Sequence, residues 1–113
     1  MTESIQVQLK KGVLELCVLA LLSAGDNYGY DIAQRLAHAV DMGEGTIYPL
    51  MRRLQAEGLV STYLAESANG PPRKYYQLTE VGRTRLAAQR GEWESFVRAV
   101  EAVIASSKIG ETP

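Results

Sequence analysis

The chain contains one cysteine, one histidine, one tryptophan and one phenylalanine in 113 residues. A lone cysteine, Cys17, cannot close a disulfide within the chain, and its place in an apolar stretch reads as a small buried hydrophobe in a reducing compartment. A lone histidine, His38, has no second ligand nearby, so no metal site is expected. No Ser, His and Asp set has a recognisable spacing, and neither a Walker nor a dinucleotide glycine pattern occurs, so neither an enzyme nor a cofactor is expected. The longest unbroken apolar run, Leu16 to Leu22, is far too short to span a bilayer, and the polar start from Met1 to Gln8 lacks a signal-peptide core. These absences point to the cytoplasm. Charge of one sign is lacking as well: 12 basic residues stand against 13 acidic ones, for a net charge of −1. A uniformly cationic surface is excluded, and any nucleic-acid partner must be held by local clusters.

What is present is an ordinary globular composition, with 46% hydrophobic and 22% charged residues. This length supports one small core with little to spare, so an obligate partner would help it. From Leu9 to Ser23 the positions Leu9, Val13, Leu16, Cys17, Ala20 and Leu21 form a helical stripe. Leu14, Val18, Leu19 and Leu22 fill much of the remaining circumference. Such a helix must be covered on several sides, one of them by another subunit. Lys10 and Lys11 at its start read as a solvated end or as phosphate contacts. Ala24-Gly25-Asp26-Asn27 is a turn, with Asn27 the expected N-cap of a second helix running to about Val40 on a core face of Ile32, Leu36 and Val40.

After the Gly-containing link Asp41 to Gly45, Ile47, Leu50, Met51 and Leu54 recur at i, i+3, i+4 and i+7, one apolar stripe of a third helix. Tyr48, Pro49, Arg52 and Gln55 fall opposite, with Thr46 and Arg53 along one edge, a hydrogen-bonding and cationic face suited to a DNA groove. Thr46 is the expected cap of this helix and Gly58 its left-handed terminator. Leu59 to Leu64 and Arg73 to Leu78 read as strands around a wing tip from Ala65 to Pro72, where Asn69-Gly70-Pro71-Pro72 is strong turn chemistry. Helix, helix, helix and hairpin is the order of a winged helix-turn-helix. The expected fold class is therefore mostly α with a small β-hairpin, an α+β arrangement. Arg73 and Lys74 read as phosphate-neutralising residues or as a charged strand edge.

Thr79 caps a last, long helix whose Leu86, Trp93, Phe96, Val97, Val100, Val103 and Ile104 follow three- and four-residue steps. So small a core cannot cover it, and a two-fold homodimer is expected through Val13, Leu86, Trp93, Phe96, Val97, Val100 and Ile104. The expected organisation is a DNA-binding unit over residues 1–78, a dimerisation helix over 79–107 and a disordered tail over 108–113.

Gly45-Thr46-Ile47-Tyr48-Pro49-Leu50 with Arg53-Leu54 and Glu57-Gly58-Leu59-Val60 resembles the recognition helix of PadR-type transcriptional regulators. Gly29-Tyr30-Asp31-Ile32 is similar to the start of that family's second helix, and Arg73-Lys74-Tyr75-Tyr76-Gln77-Leu78-Thr79-Glu80-Val81-Gly82-Arg83 to the end of its wing. The likeness runs from Gly12 to Val100, and three motifs in order make it specific. In the expected dimer the recognition helices lie in successive major grooves on the order of 34 Å apart, on a palindromic double-stranded operator, and a repressor is the default because no segment for contacting polymerase is evident. Thr46, Tyr48, Arg73 and Lys74 are implicated in DNA binding by the resemblance. For Tyr30 the resemblance implies a structural position with a phosphate contact, core packing and DNA contact standing as equal readings. Pro49, Arg52 and Arg53 join from the residue reading, with Arg52 or Arg53 able to fork onto guanine.

Trp93-Glu94-Ser95 and Gly25-Asp26-Asn27-Tyr28 are similar to the multidrug-binding, LmrR-like branch of this family, in which paired indoles sandwich flat aromatic compounds between subunits. That likeness implies a ligand cavity lined by Trp93, Leu16, Ala20 and Val97, and the apolar Val97 favours a neutral planar molecule. The other reading of Trp93 is a packed interface aromatic. Two alternatives stay open: a non-catalytic winged-helix adaptor for other proteins, and a small-molecule-binding dimer that never touches DNA.

Overall fold

A computed structural model describes residues 5–107, except for the side chains of residues 6–8 and 11. Four helices and three strands follow in the order α1 (Ile5–Ser23), β1 (Asn27–Tyr28), α2 (Gly29–Val40), α3 (Glu44–Ala56), β2 (Val60–Ser67), β3 (Gly70–Leu78) and α4 (Glu80–Ser106). The expected tail over 108–113 lies outside the described residues. No helix among them is long and apolar enough to cross a membrane.

The core forms where the apolar stripes of the first three helices converge on the sheet. Val18, Leu19 and Leu22 of α1, Ile32, Ala33 and Leu36 of α2, and Ile47, Met51 and Leu54 of α3 are buried together with Leu59, Val60, Tyr76 and Leu78. Met42, in the link between α2 and α3, joins them. Asp41 makes that link turn by taking the left-handed conformation, φ 54°, which a short polar side chain tolerates better than a bulky one. Its carbonyl and carboxylate receive the Lys10 ammonium at 3.1 and 3.4 Å. Lys10 is thereby committed to tying α1 to the helix-turn-helix link, while the Lys11 side chain lies outside the described residues.

Three local expectations change. Asn27 does not cap α2: its backbone pairs with Tyr76 in a third strand, and its amide nitrogen donates to Asp31 Oδ2 at 2.6 Å. The N-cap of α2 is Tyr28, with no side-chain cap bond. Thr46 does not cap α3 either, because the helix begins two residues earlier behind Gly43, and the Thr46 N–H bonds the Gly43 carbonyl at 3.0 Å. The wing is also longer than turn chemistry suggests. Strands β2 and β3 pair up to Ser67↔Gly70, and the register shifts between Ala65 and Ser67 so that Pro71 and Pro72 oppose Glu66 alone. A bulge on a stretch that β1 does not reach is where a strand accommodates residues lacking an N–H donor.

The end of α3 behaves as expected. Gly58 has φ +77°, its N–H bonds the Gln55 carbonyl at 3.0 Å, and the Leu59 N–H bonds the Leu54 carbonyl at 2.9 Å. This double closure, with Leu54 and Leu59 both buried, is the glycine-terminated helix end that directs the chain into β2.

Thr79 caps α4 by accepting from the Gly82 N–H at 3.0 Å, and its hydroxyl donates to the Gly58 carbonyl at 2.7 Å. Gly82 and Leu86 then pack into the core. Leu86, expected at a subunit interface, is only 7% exposed within its own protomer, because α4 packs on α1 and its first turn lies against Leu59 and Leu78. From Arg90 to Ser106 every residue except Val97 is exposed.

Candidate nucleic-acid interface

The sheet order β1-β3-β2 brings the start of α2 beside the basic end of the wing. Pairing of Tyr28 with Tyr75 and of Tyr63 with Tyr75 produces an aromatic ladder. The Tyr28 and Tyr75 rings lie 5.5 Å apart and tilted, and the Tyr63 and Tyr75 rings 5.7 Å apart and nearly parallel. The Tyr63 hydroxyl donates to Asp26 Oδ2 at 2.7 Å, which holds the phenol above its usual range and ties the wing to the turn before β1.

On this ladder sit the two wing cations. The Arg73 guanidinium lies 4.4 Å from the centre of the Tyr28 ring and the Lys74 ammonium 5.5 Å from that of Tyr76. Attraction to the ring faces steadies a cation without neutralising it, so both charges stay available to an anion. Tyr48 of α3 leans back over α2, where its ring carbon stands 3.3 Å from the position a side chain on Gly29 would take. Burial pushes its phenol up, with Glu44 adding to the effect, so the hydroxyl stays protonated and can donate. Tyr28, Gly29, Tyr30, Tyr48, Arg73, Lys74 and Tyr76 together line one hollow of about 270 Å³. Four of the expected DNA-binding residues, Tyr30, Tyr48, Arg73 and Lys74, are thus brought to one place.

The other four lie along α3 outside that hollow. Arg52 is exposed, and no hydrogen bond or ion pair to it occurs among the described residues. Thr46, Pro49 and Arg53 line a second hollow of about 450 Å³ with Gly12, Glu15 and Gln89. Arg53 is held there by Glu57 at 2.7 Å and by Glu15 at 3.1 Å.

Glu15 is the residue that sequence reasoning missed. It accepts from Arg53 of α3, from Arg85 of α4 at 3.1 Å and from the Gln89 amide of α4. Burial alone would raise its pKa, but the hydrogen bonds from Gln89, Arg53 and Arg85 outweigh that and hold the carboxyl below its usual 4.5. The available signal was its isolation: it is the one acid in the nineteen residues of α1.

A larger groove of about 1020 Å³ runs between α1 and α4, lined by Leu9, Gly12, Val13, Leu16, Gln89, Gly91, Glu92, Trp93, Ser95, Phe96 and Ala99. Of the four expected ligand-cavity residues Trp93 and Leu16 line it, whereas Ala20 packs against the core and Val97 is absent from its wall. Cys17 is half-buried and desolvation pushes its thiol up, which disfavours the reactive thiolate. His38 is exposed on α2.

Residues 18–88 match the transcriptional regulator PadR-like family. A PadR-like transcriptional regulator from Bacillus cereus superposes with a TM-score of 0.82 at 36% identity, over 88% of this chain and 99% of that one. A transcriptional regulator of Mycobacterium tuberculosis is 28% identical over 82% of this chain and 87% of its own length. Bacillus subtilis PadR, solved in complex with operator DNA, superposes with a TM-score of 0.61 at 27% identity, over 68% of this chain and 46% of that one. The chain belongs to the PadR-like family of DNA-binding transcriptional regulators.

Proposed function

We propose that this regulator works as a two-fold homodimeric repressor that grips a palindromic operator with its wing and recognition helix and lets go when a small planar aromatic molecule occupies the groove beside α4. The observation that carries the DNA-binding part is the convergence of Tyr30, Tyr48, Arg73 and Lys74 on one hollow. Two phenol hydroxyls and two aromatic-steadied cations suit a phosphate oxygen. Arg52, projecting from the same helix as Tyr48 and without a hydrogen bond or ion pair among the described residues, is the residue to reach guanine O6 and N7. Thr46, Pro49 and Arg53, which line the neighbouring hollow, border the groove edge.

The dimer is supported by the outer half of α4, where Phe96, Val103 and Ile104 are 62%, 69% and 57% exposed. A contiguous apolar face of this kind on a single helix calls for a partner surface, and a second copy meets it with the same face. Gly12 and Gly91 sit mid-helix with nothing near the place a methyl would occupy. Glycine in a helix interior costs about 1 kcal/mol relative to alanine, so close approach by another subunit gives these positions a reason. Trp93 on the groove wall would stack a flat ligand.

The test is a gel-shift with the upstream region of the chain's own gene over a salt series. Arg52→Ala should relax base preference by about 1–3 kcal/mol at one position per half-site, whereas Lys74→Ala should weaken all duplexes alike and lower the salt slope by about one. Absence of binding even at low salt would overturn the reading.

A further inference from the structure

We infer that Gln89 is the residue with which the α1/α4 groove recognises its ligand, that the ligand therefore carries an N–H or O–H donor on its planar ring system, and that Glu15 passes the event to the recognition helix. This rests on the reading of the groove as a ligand site. Three observations support it. First, the Oε1 oxygen of Gln89 is buried and has no hydrogen-bond partner, alone in this among the described residues. An amide oxygen left in that condition is a standing preference for any arrangement that supplies a donor. Secondly, Gln89 belongs to the walls of both hollows, the groove with Trp93 and the smaller one with Thr46, Pro49 and Arg53. Thirdly, the amide orientation is set by Glu15, to which Gln89 Nε2 donates. Rotating the amide in place would set its oxygen against a carboxylate. Since Oε1 is itself buried, it meets a donor in the groove only when the side chain swings away from Glu15.

That swing has a consequence at α3. Glu15 holds Arg53 at 3.1 Å through one oxygen and Arg85 at 3.1 Å, together with Gln89, through the other. Loss of the Gln89 bond leaves the carboxylate shared between two guanidinium groups alone, drawn toward Arg85 on the oxygen just vacated. Arg53 then keeps Glu57 as its nearer partner at 2.7 Å, and the strut from α1 to the middle of the recognition helix loosens. A ligand without a donor can stack on Trp93 and leave all of this untouched.

Carbazole and dibenzofuran are neutral planar tricycles of nearly the same shape, and only the first has an N–H. Equilibrium dialysis against the full chain should show carbazole binding about tenfold tighter, and carbazole alone should weaken the gel-shift complex. In Gln89→Leu, and in Gln89→Met should the leucine variant fold poorly, the two compounds should bind alike. In Glu15→Gln the preference for carbazole should persist while operator affinity stops responding to it. Equal binding of the two compounds to the parent, or a preference that survives loss of the amide, would overturn the role of Gln89. Selective binding with unchanged operator affinity in the parent would overturn the passage through Glu15. Binding of neither compound would remove the ligand-site reading itself, and this inference with it.

Discussion

Two arginines one residue apart on the same helix have different tasks here, and the difference lies in what surrounds them. Arg53 is bracketed by Glu57 and Glu15, whereas Arg52 projects without a partner among the described residues. Periodicity placed both near the polar face of α3 but had no means of knowing that an acid from α1, far away in sequence, would neutralise one of them. Glu15 also makes a pH prediction. Its folded-state carboxyl lies below the ordinary 4.5, so its contribution is fully present above that value and is lost as pH falls through the depressed folded value. Acid unfolding followed by circular dichroism should therefore show a steeper loss of stability below pH 4.5 in the parent than in Glu15→Gln. The variant should already be weaker at neutral pH, because Arg53 and Arg85 lose a common anion.

Single elements carry constraints of their own. The first turn of α4 lies so close to the chain leaving α3 that a methyl on Gly82 would stand 2.1 Å from the Leu59 carbonyl oxygen and 2.7 Å from Leu78 Cδ1. Backbone cannot yield as a flexible side chain does, so Gly82→Ala should cost about 3 kcal/mol, at the upper end for overpacking, measured by urea denaturation. Gly43 offers the opposite case. It caps α3 with an ordinary φ of −78°, no side-chain cap bond and nothing near its missing Cβ. Gly43→Ser should stabilise the fold by about 0.5–1 kcal/mol, through a new cap and a less flexible unfolded chain. The existence of the helices and most of the buried stripes of α2 and α3 were legible because a 3.6-residue period survives any tertiary context, whereas the starts of α2 and α3 were not. Strand β1 was not: two residues carry no period, and Asn27 looks like a cap until Tyr76 is found beside it. The prolines read as a turn because their chemistry is local, while the bulge that admits them into β3 depends on how far β1 extends along its other side.

For the whole molecule the open matter is the outer half of α4. Phe96→Asp places a carboxylate on a residue that is 62% exposed in the protomer, so the winged domain should keep its unfolding midpoint at low concentration. Light scattering should nevertheless report a monomer. Operator affinity should fall about a hundredfold or more, since the second half-site no longer binds as part of one body. A dimer that persists in this variant would move the subunit contact elsewhere.

The order of the four helices and the wing hairpin, most of the core faces of α2 and α3, the cap at Thr79 and the glycine-terminated end of α3 follow from the sequence alone, because each depends on residues within a few positions of one another. Membership in a DNA-binding family was legible for the same reason, through short motifs in fixed order. Tertiary structure decided which side chains meet across the chain: the gathering of Tyr30, Tyr48, Arg73 and Lys74, the capture of Arg53 by Glu15, and the burial of Leu86 within its own protomer. A helical period says which residues share a face, and only the packed fold determines what that face touches.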